Sequence, residues 1–223
     1  TRTGSAVSPQ EELLQKTYGL LAWSFVPCAA GAFVGMMYGM RIFRALGSPI
    51  AIFVATMAFF YGMCFLIEKN RHSQMGVNLL MVFTFGMGVM MGPLLNASGQ
   101  FVNGGKLVAI AALMTAGGFF TMSALARRGN FNNNALGGFL SMGVVVLMIG
   151  VVANFFFALP WLSLTLSAMF VIVSALMIMW QVRNILDGGE DSHVSAALTI
   201  FISIYNLFSS ILRLLLAFAG EER

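Results

Sequence analysis

Seven apolar stretches, near 18–40, 49–67, 76–95, 106–126, 135–157, 162–182 and 194–219, follow one another with only short charged clusters between them. A helix needs about 20 apolar residues to cross roughly 30 Å of hydrocarbon. With no water in that layer, each backbone N–H and C=O must be bonded within the protein, so runs of this length are helices. The reading is an all-α membrane protein of seven transmembrane helices: a cytoplasmic N-terminal tail over 1–17, a transmembrane domain over 18–219 and a C-terminal tail over 220–223. Composition agrees, with 59% hydrophobic and 9% charged residues and no stretch left for a soluble domain. The first run follows Glu11 and Glu12, exceeds a signal-peptide core in length and lacks a cleavage site, so it is read as a retained span. TRTGSAVSPQ ahead of it is expected to be mobile.

If the spans alternate, one side carries Arg2, Lys16, Lys69, Arg71, Arg127, Arg128 and Arg183, and the other carries Arg41, Arg44, Lys106 and Arg223. Basic residues favour the cytoplasm, so the N-terminus is expected to be cytoplasmic and the C-terminus periplasmic. Loop Lys and Arg account for the net charge of +4, and no basic cluster is interleaved with aromatics, so no nucleic-acid partner is expected. Cys28 and Cys64 lie singly in spans, and the 17 Met residues are scattered, which suits packing better than a disulfide or a metal site. His72 and His193 are read as solvated loop residues. No nucleophile with its base, no His/Glu metal set and no phosphate-cradling glycine loop is present, so neither catalysis nor a cofactor or metal is expected.

In lipid, small residues carry much of helix association because they allow close approach. Gly31, Gly35 and Gly39 recur every four residues in GAFVGMMYG and present a bare helix face. Packing inside one chain is favoured for it over a homodimer interface. The third span ends in GMGVMMGPLLNASG, where Gly92 and Pro93 predict a kinked or broken helix end near Asn96.

At about 100° per residue, Ser163, Ser167, Ser174 and Gln181 share one face of the sixth span. Thr199, Ser203, Asn206, Ser210 and Arg213 share one stripe of the seventh. The joining turn is short, so the two spans are antiparallel neighbours, and polar stripes turned from lipid place span seven largely inside the bundle. Two uses compete for this seam: hydrogen bonding between helices, and an ion or proton path. All eight acidic residues are expected in tails or loops, which favours the first, because a cation path ordinarily places an ionisable group at depth. Arg213 is expected to pack against Asn206 or helix-end carbonyls. The joining turn, within MWQVRNILDGGED, reads as hydrated, with Gly188 and Gly189 making the reversal and Asp187, Glu190 and Asp191 facing water; its spacing does not follow a calcium loop.

Three segments carry a resemblance: MGPLLN at 91–96, GVVVLMIGVVANFFFALPWLSLTLSAMF at 143–170 and NILDGGEDSHVSAALTIFISIYNLFSSIL at 184–212. Their combination of a GPxLN span end, an NIxxGGE turn and an SxYNxF run is similar to the Bax inhibitor-1 family of seven-span membrane proteins, most closely its bacterial YccA-like branch. The resemblance implies six helices around a central seventh. Calcium-leak members carry a pH-responsive aspartate pair, and the matching positions here are Gln181 and Ser203, neither of which ionises. The branch implies a bacterial inner-membrane protein that binds the FtsH protease through its cytoplasmic tail and restrains it. A cation (calcium) or proton leak along a neutral seam, and a passive scaffold in the bilayer, are the alternatives.

Overall fold

A computed structural model describes residues 8–45, 47–129 and 132–221. They form seven helices: α1 (Pro9–Ala45), α2 (Pro49–Lys69), α3 (Gln74–Gly99), α4 (Gly104–Arg128), α5 (Asn133–Phe157), α6 (Pro160–Leu186) and α7 (His193–Glu221). Each is long and apolar enough to cross a membrane. Residues 1–7, with Arg2, and residues 222–223, with Arg223, lie outside the described residues, as do the side chains of Met40, Ile42, Phe43 and Arg44.

Among the helix starts, those of α1, α2 and α5 are each held by a capping side chain. Ser8 precedes Pro9 and accepts the Glu11 amide at 3.2 Å, and Ser48 precedes Pro49 and accepts the Ala51 amide at 3.1 Å. Asn132 accepts the Asn134 and Ala135 amides at the head of α5. These caps draw the helices beyond their apolar runs. Residues 9–17, read from sequence as part of a tail, are therefore helical, with Leu14 and Thr17 only 2% and 0% exposed. The apolar run begins later than the helix because this first segment is amphipathic, burying one side against the bundle.

α7 is the central element. It packs against α1, α2, α3, α4 and α6, while α5 completes the bundle on the outside of α6. The first turns of α7 are nearly free of solvent: Val194, Ala196, Ala197, Ile200 and Phe201 are all 0% exposed.

α1 and α3 make the closest helix pair. A Cβ at Gly31 would strike the Phe85 carbonyl, one at Gly35 the Val89 carbonyl, one at Gly88 the Cys28 carbonyl and one at Gly92 the Gly35 backbone. Glycines on both helices thus let main chain lie on main chain. Gly39 is buried too. Of the kinked or broken end expected near Asn96, the break is absent: α3 continues through Pro93 to Gly99. Pro93 withholds the amide that Val89 O would normally accept, and the bare Gly35 backbone covers that carbonyl instead. Asn96 Nδ2 then donates to Met36 O at 2.9 Å, fastening the end of α3 to α1. Tertiary contact supports the helix past its proline.

Candidate functional site

The most concentrated polar chemistry lies where α6 turns into α7. α6 ends in a Schellman-type turn: the Gly188 amide bonds Ile185 O at 3.1 Å and the Gly189 amide bonds Asn184 O at 2.8 Å. Gly188 sits at φ 76°, a conformation that only glycine adopts without strain. A side chain at Gly189 would collide with the Asn184 amide. This reversal folds the chain back over its own helix and sets Glu190 against Gln181.

Glu190 does not face water. Its side chain is 10% exposed, its Oε2 accepts Gln181 Nε2 at 3.1 Å, and its Oε1 accepts the Asp191 and Ser192 amides, each at 3.1 Å. Arg71, from the turn joining α2 to α3, lies 3.8 Å from the same carboxylate and 3.2 Å from Asp191. The expectation of three water-facing acids fails for Glu190 because the reversal offers amide donors that replace its hydration. Asp187 stays outside and pairs with Arg183 at 3.0 Å. Arg183 also donates to Ala126 O and Gly129 O, tying the C-terminal end of α4 to that of α6.

Ser192 fastens α7 at the same place. Its Oγ accepts the Val194 and Ser195 amides, both at 3.2 Å, and donates to Arg71 O at 2.7 Å. Ser195 Oγ donates to Glu68 Oε1 at 2.8 Å. Glu68 belongs to the last turn of α2, so one of the acids expected in a loop stands on a helix. The mouth therefore joins α2, the turn after it, α6 and α7, with carboxylate charge at the N-terminal end of α7 where the helix dipole favours it.

Deeper in, the seam is quieter. Gln181, Ser174, Ser203 and Ser210 are buried at 2%, 4%, 3% and 4% exposure, and Thr199 and Asn206 are half-buried. Ser203 Oγ donates to Thr199 O at 2.8 Å and Ser167 Oγ to Ser163 O at 2.9 Å, both within their own helix. Gln181 and Ser203, which the family resemblance was expected to set against an aspartate pair, thus make their hydrogen bonds apart, one to Glu190 and one inside α7. Arg213, the last residue of the stripe, is exposed, as suits a long cationic side chain that costs less at a wet surface than in a packed seam.

Glu190, Arg71, Ser192 and the Glu68–Ser195 pair were absent from the sequence-derived site. The available signals were local: a Gly-Gly reversal after Gln181, and a serine immediately ahead of an apolar run.

The family model described as inhibitor of apoptosis-promoting Bax1 matches residues 10–220. An uncharacterized protein of Neisseria meningitidis serogroup B is 58% identical, over 94% of this chain and 92% of its own. An uncharacterized protein of Pseudomonas aeruginosa is 36% identical over 98% of this chain and 96% of its own. The modulator of FtsH protease YccA of Escherichia coli K12 is 34% identical over 95% of this chain and 92% of its own.

Proposed function

We propose, starting from the fact that this chain belongs to the Bax inhibitor-1 family, that it is a multi-pass inner-membrane protein that binds the FtsH protease and restrains its action on other substrates. The observation that carries this reading is the near full-length similarity to a modulator of that protease. Its N-terminus is assigned to the cytoplasm by the excess of Lys and Arg on that side. The polar mouth then serves to hold the bundle rigid while the protease engages the chain from its end. Ser8 caps α1, and Leu14 and Thr17 are packed into the fold, so a grip taken at Ser8 or beyond has to unravel α1.

The test is the rate at which purified FtsH degrades a membrane substrate in proteoliposomes, with and without this protein at constant lipid. A slower rate that recovers when residues 1–7 are removed is the expected result; an unchanged rate with the intact chain overturns the reading. A second reading is favoured by one observation, the buried Glu190 carboxylate on Gln181: a cation leak entering the α6–α7 seam at that mouth. It requires calcium flux from loaded vesicles that falls with Glu190→Gln and with the Gln181→Ala, Ser203→Ala double substitution.

A further inference from the structure

On the other side of α7, α1 and α4 do not close. The Tyr18 and Phe119 rings meet edge to face at 5.8 Å, but elsewhere the two helices lack the main-chain approach that joins α1 to α3. Between them lies a cleft of about 970 Å³, floored by α7 at Phe201, Tyr205 and Phe208. Its side walls include the exposed alanines Ala22, Ala29, Ala112 and Ala116, so the cleft opens sideways, towards the hydrocarbon that surrounds these spans.

The polar groups of this cleft gather at one end. Ser123 is 8% exposed and lines the cleft, yet among the described residues its Oγ has no hydrogen-bond partner; neither has the buried Tyr18 Oη across the gap. Arg127, one helical turn beyond Ser123 and also lining the cleft, is exposed in the last turn of α4. Thr115, by contrast, donates to Ala111 O at 2.7 Å within its helix. A buried hydroxyl without a partner is costly in an apolar setting, by about 1–3 kcal/mol, so an acceptor that enters this cleft would find two unused donors at one end of it.

The shape selects the kind of ligand. From Val108 to Arg127 the cleft follows α4 for about 28 Å at 1.5 Å per residue, close to the hydrocarbon thickness. Its walls along that length are almost wholly apolar, a surface that a polymethylene chain can cover. The charge at the open end is cationic, at the level where phospholipid headgroups lie.

We propose that the α1–α4 cleft binds an anionic phospholipid. The headgroup phosphate lies at Arg127, an ester oxygen accepts from Ser123 Oγ and Tyr18 Oη, and an acyl chain runs between the alanine walls over Tyr205.

The test uses the full chain reconstituted with equal amounts of phosphatidylglycerol and phosphatidylcholine, then released from mild detergent for native mass spectrometry. Phosphatidylglycerol is expected to be retained over phosphatidylcholine by about five-fold, the worth of one basic residue at a lipid headgroup. Arg127→Ala should bring that ratio to one, while Arg128→Ala, a charge beside the cleft but not in its lining, should leave it. Ala112→Trp, which fills the cleft, should remove both adducts. An equal ratio in the unaltered protein, or a preference lost equally with Arg128→Ala, overturns the proposal. So does a second copy of the chain retained in place of lipid and released by Ala112→Trp.

Discussion

The mouth at α6–α7 and the cleft at α1–α4 both bring polar groups into apolar walls on the end of the bundle where α1 begins, and they treat those groups in opposite ways. At the mouth, Glu190 takes hydrogen bonds from Gln181, Asp191 and Ser192, and Ser192 serves the α7 amides and Arg71 O at once. In the cleft, Ser123 Oγ and Tyr18 Oη are bonded to nothing among the described residues. Satisfied polar groups hold a fold together, whereas unsatisfied ones mark where the chain expects company. The two sides of α1 repeat the contrast: glycines seal it to α3, and alanines facing α4 leave a gap that their methyl groups line but do not close.

The largest effect belongs to the mouth. Glu190→Ala removes a charged acceptor and leaves the amide of Gln181, itself 2% exposed, without its partner. Bonds to charged groups contribute about 1.5–3 kcal/mol each and overlap at a shared carboxylate, so a loss of about 3 kcal/mol is expected in reversible unfolding from mixed micelles. Glu190→Gln should recover part of that loss, since the amide oxygen still accepts. If Glu190→Ala unfolds at the same point as the unaltered chain, the mouth does not hold the bundle and the contrast with the cleft disappears.

Ser192→Ala comes next. It removes the cap of α7 and the bond to Arg71 O, and a lost cap costs about 1 kcal/mol. Hydrogen exchange localises the effect: the Val194 and Ser195 amides should exchange faster, while amides in the middle of α7 remain protected. Equal acceleration along the whole helix would mean that Ser192 supports global stability and has no local capping role.

Much of this fold was legible in the chain. Seven apolar runs give seven helices, because in lipid the backbone has no other way to satisfy itself, and the polar stripe of the last run pointed to its central place. Local rules were less reliable wherever tertiary contact outweighed them. Pro93 reads as a kink or break, but α3 stays helical through it, with Gly35 and Asn96 holding it to α1. Pro9 to Thr17 read as tail because polar residues on one side dilute the apolar ones that the bundle buries. Glu190 was misplaced for a deeper reason: hydropathy assigns an acid in a Gly-Gly turn to water, and only the path of the reversal shows that Gln181 and two amides stand where water would be. The cleft leaves no trace in the pattern at all, since alanine that packs and alanine that lines a gap have the same hydropathy.

Ser123→Ala should have the smallest effect on the protein alone, and its sign is the informative part. Removing a serine that caps or bridges lowers stability, as at Ser192. Removing a buried hydroxyl with no partner removes only its desolvation penalty, and the alanine methyl keeps most of the packing. Lipid-free protein carrying Ser123→Ala should therefore unfold above the parent, by up to about 1 kcal/mol, the low end of that penalty. In bilayers containing phosphatidylglycerol the order should reverse, because the parent gains an acceptor for that hydroxyl and the variant does not. A thermal shift on adding phosphatidylglycerol that is larger for the parent than for Ser123→Ala would tie the unpaired hydroxyl to the lipid. Equal shifts would leave the hydroxyl without a role in binding and reduce the difference between mouth and cleft to packing.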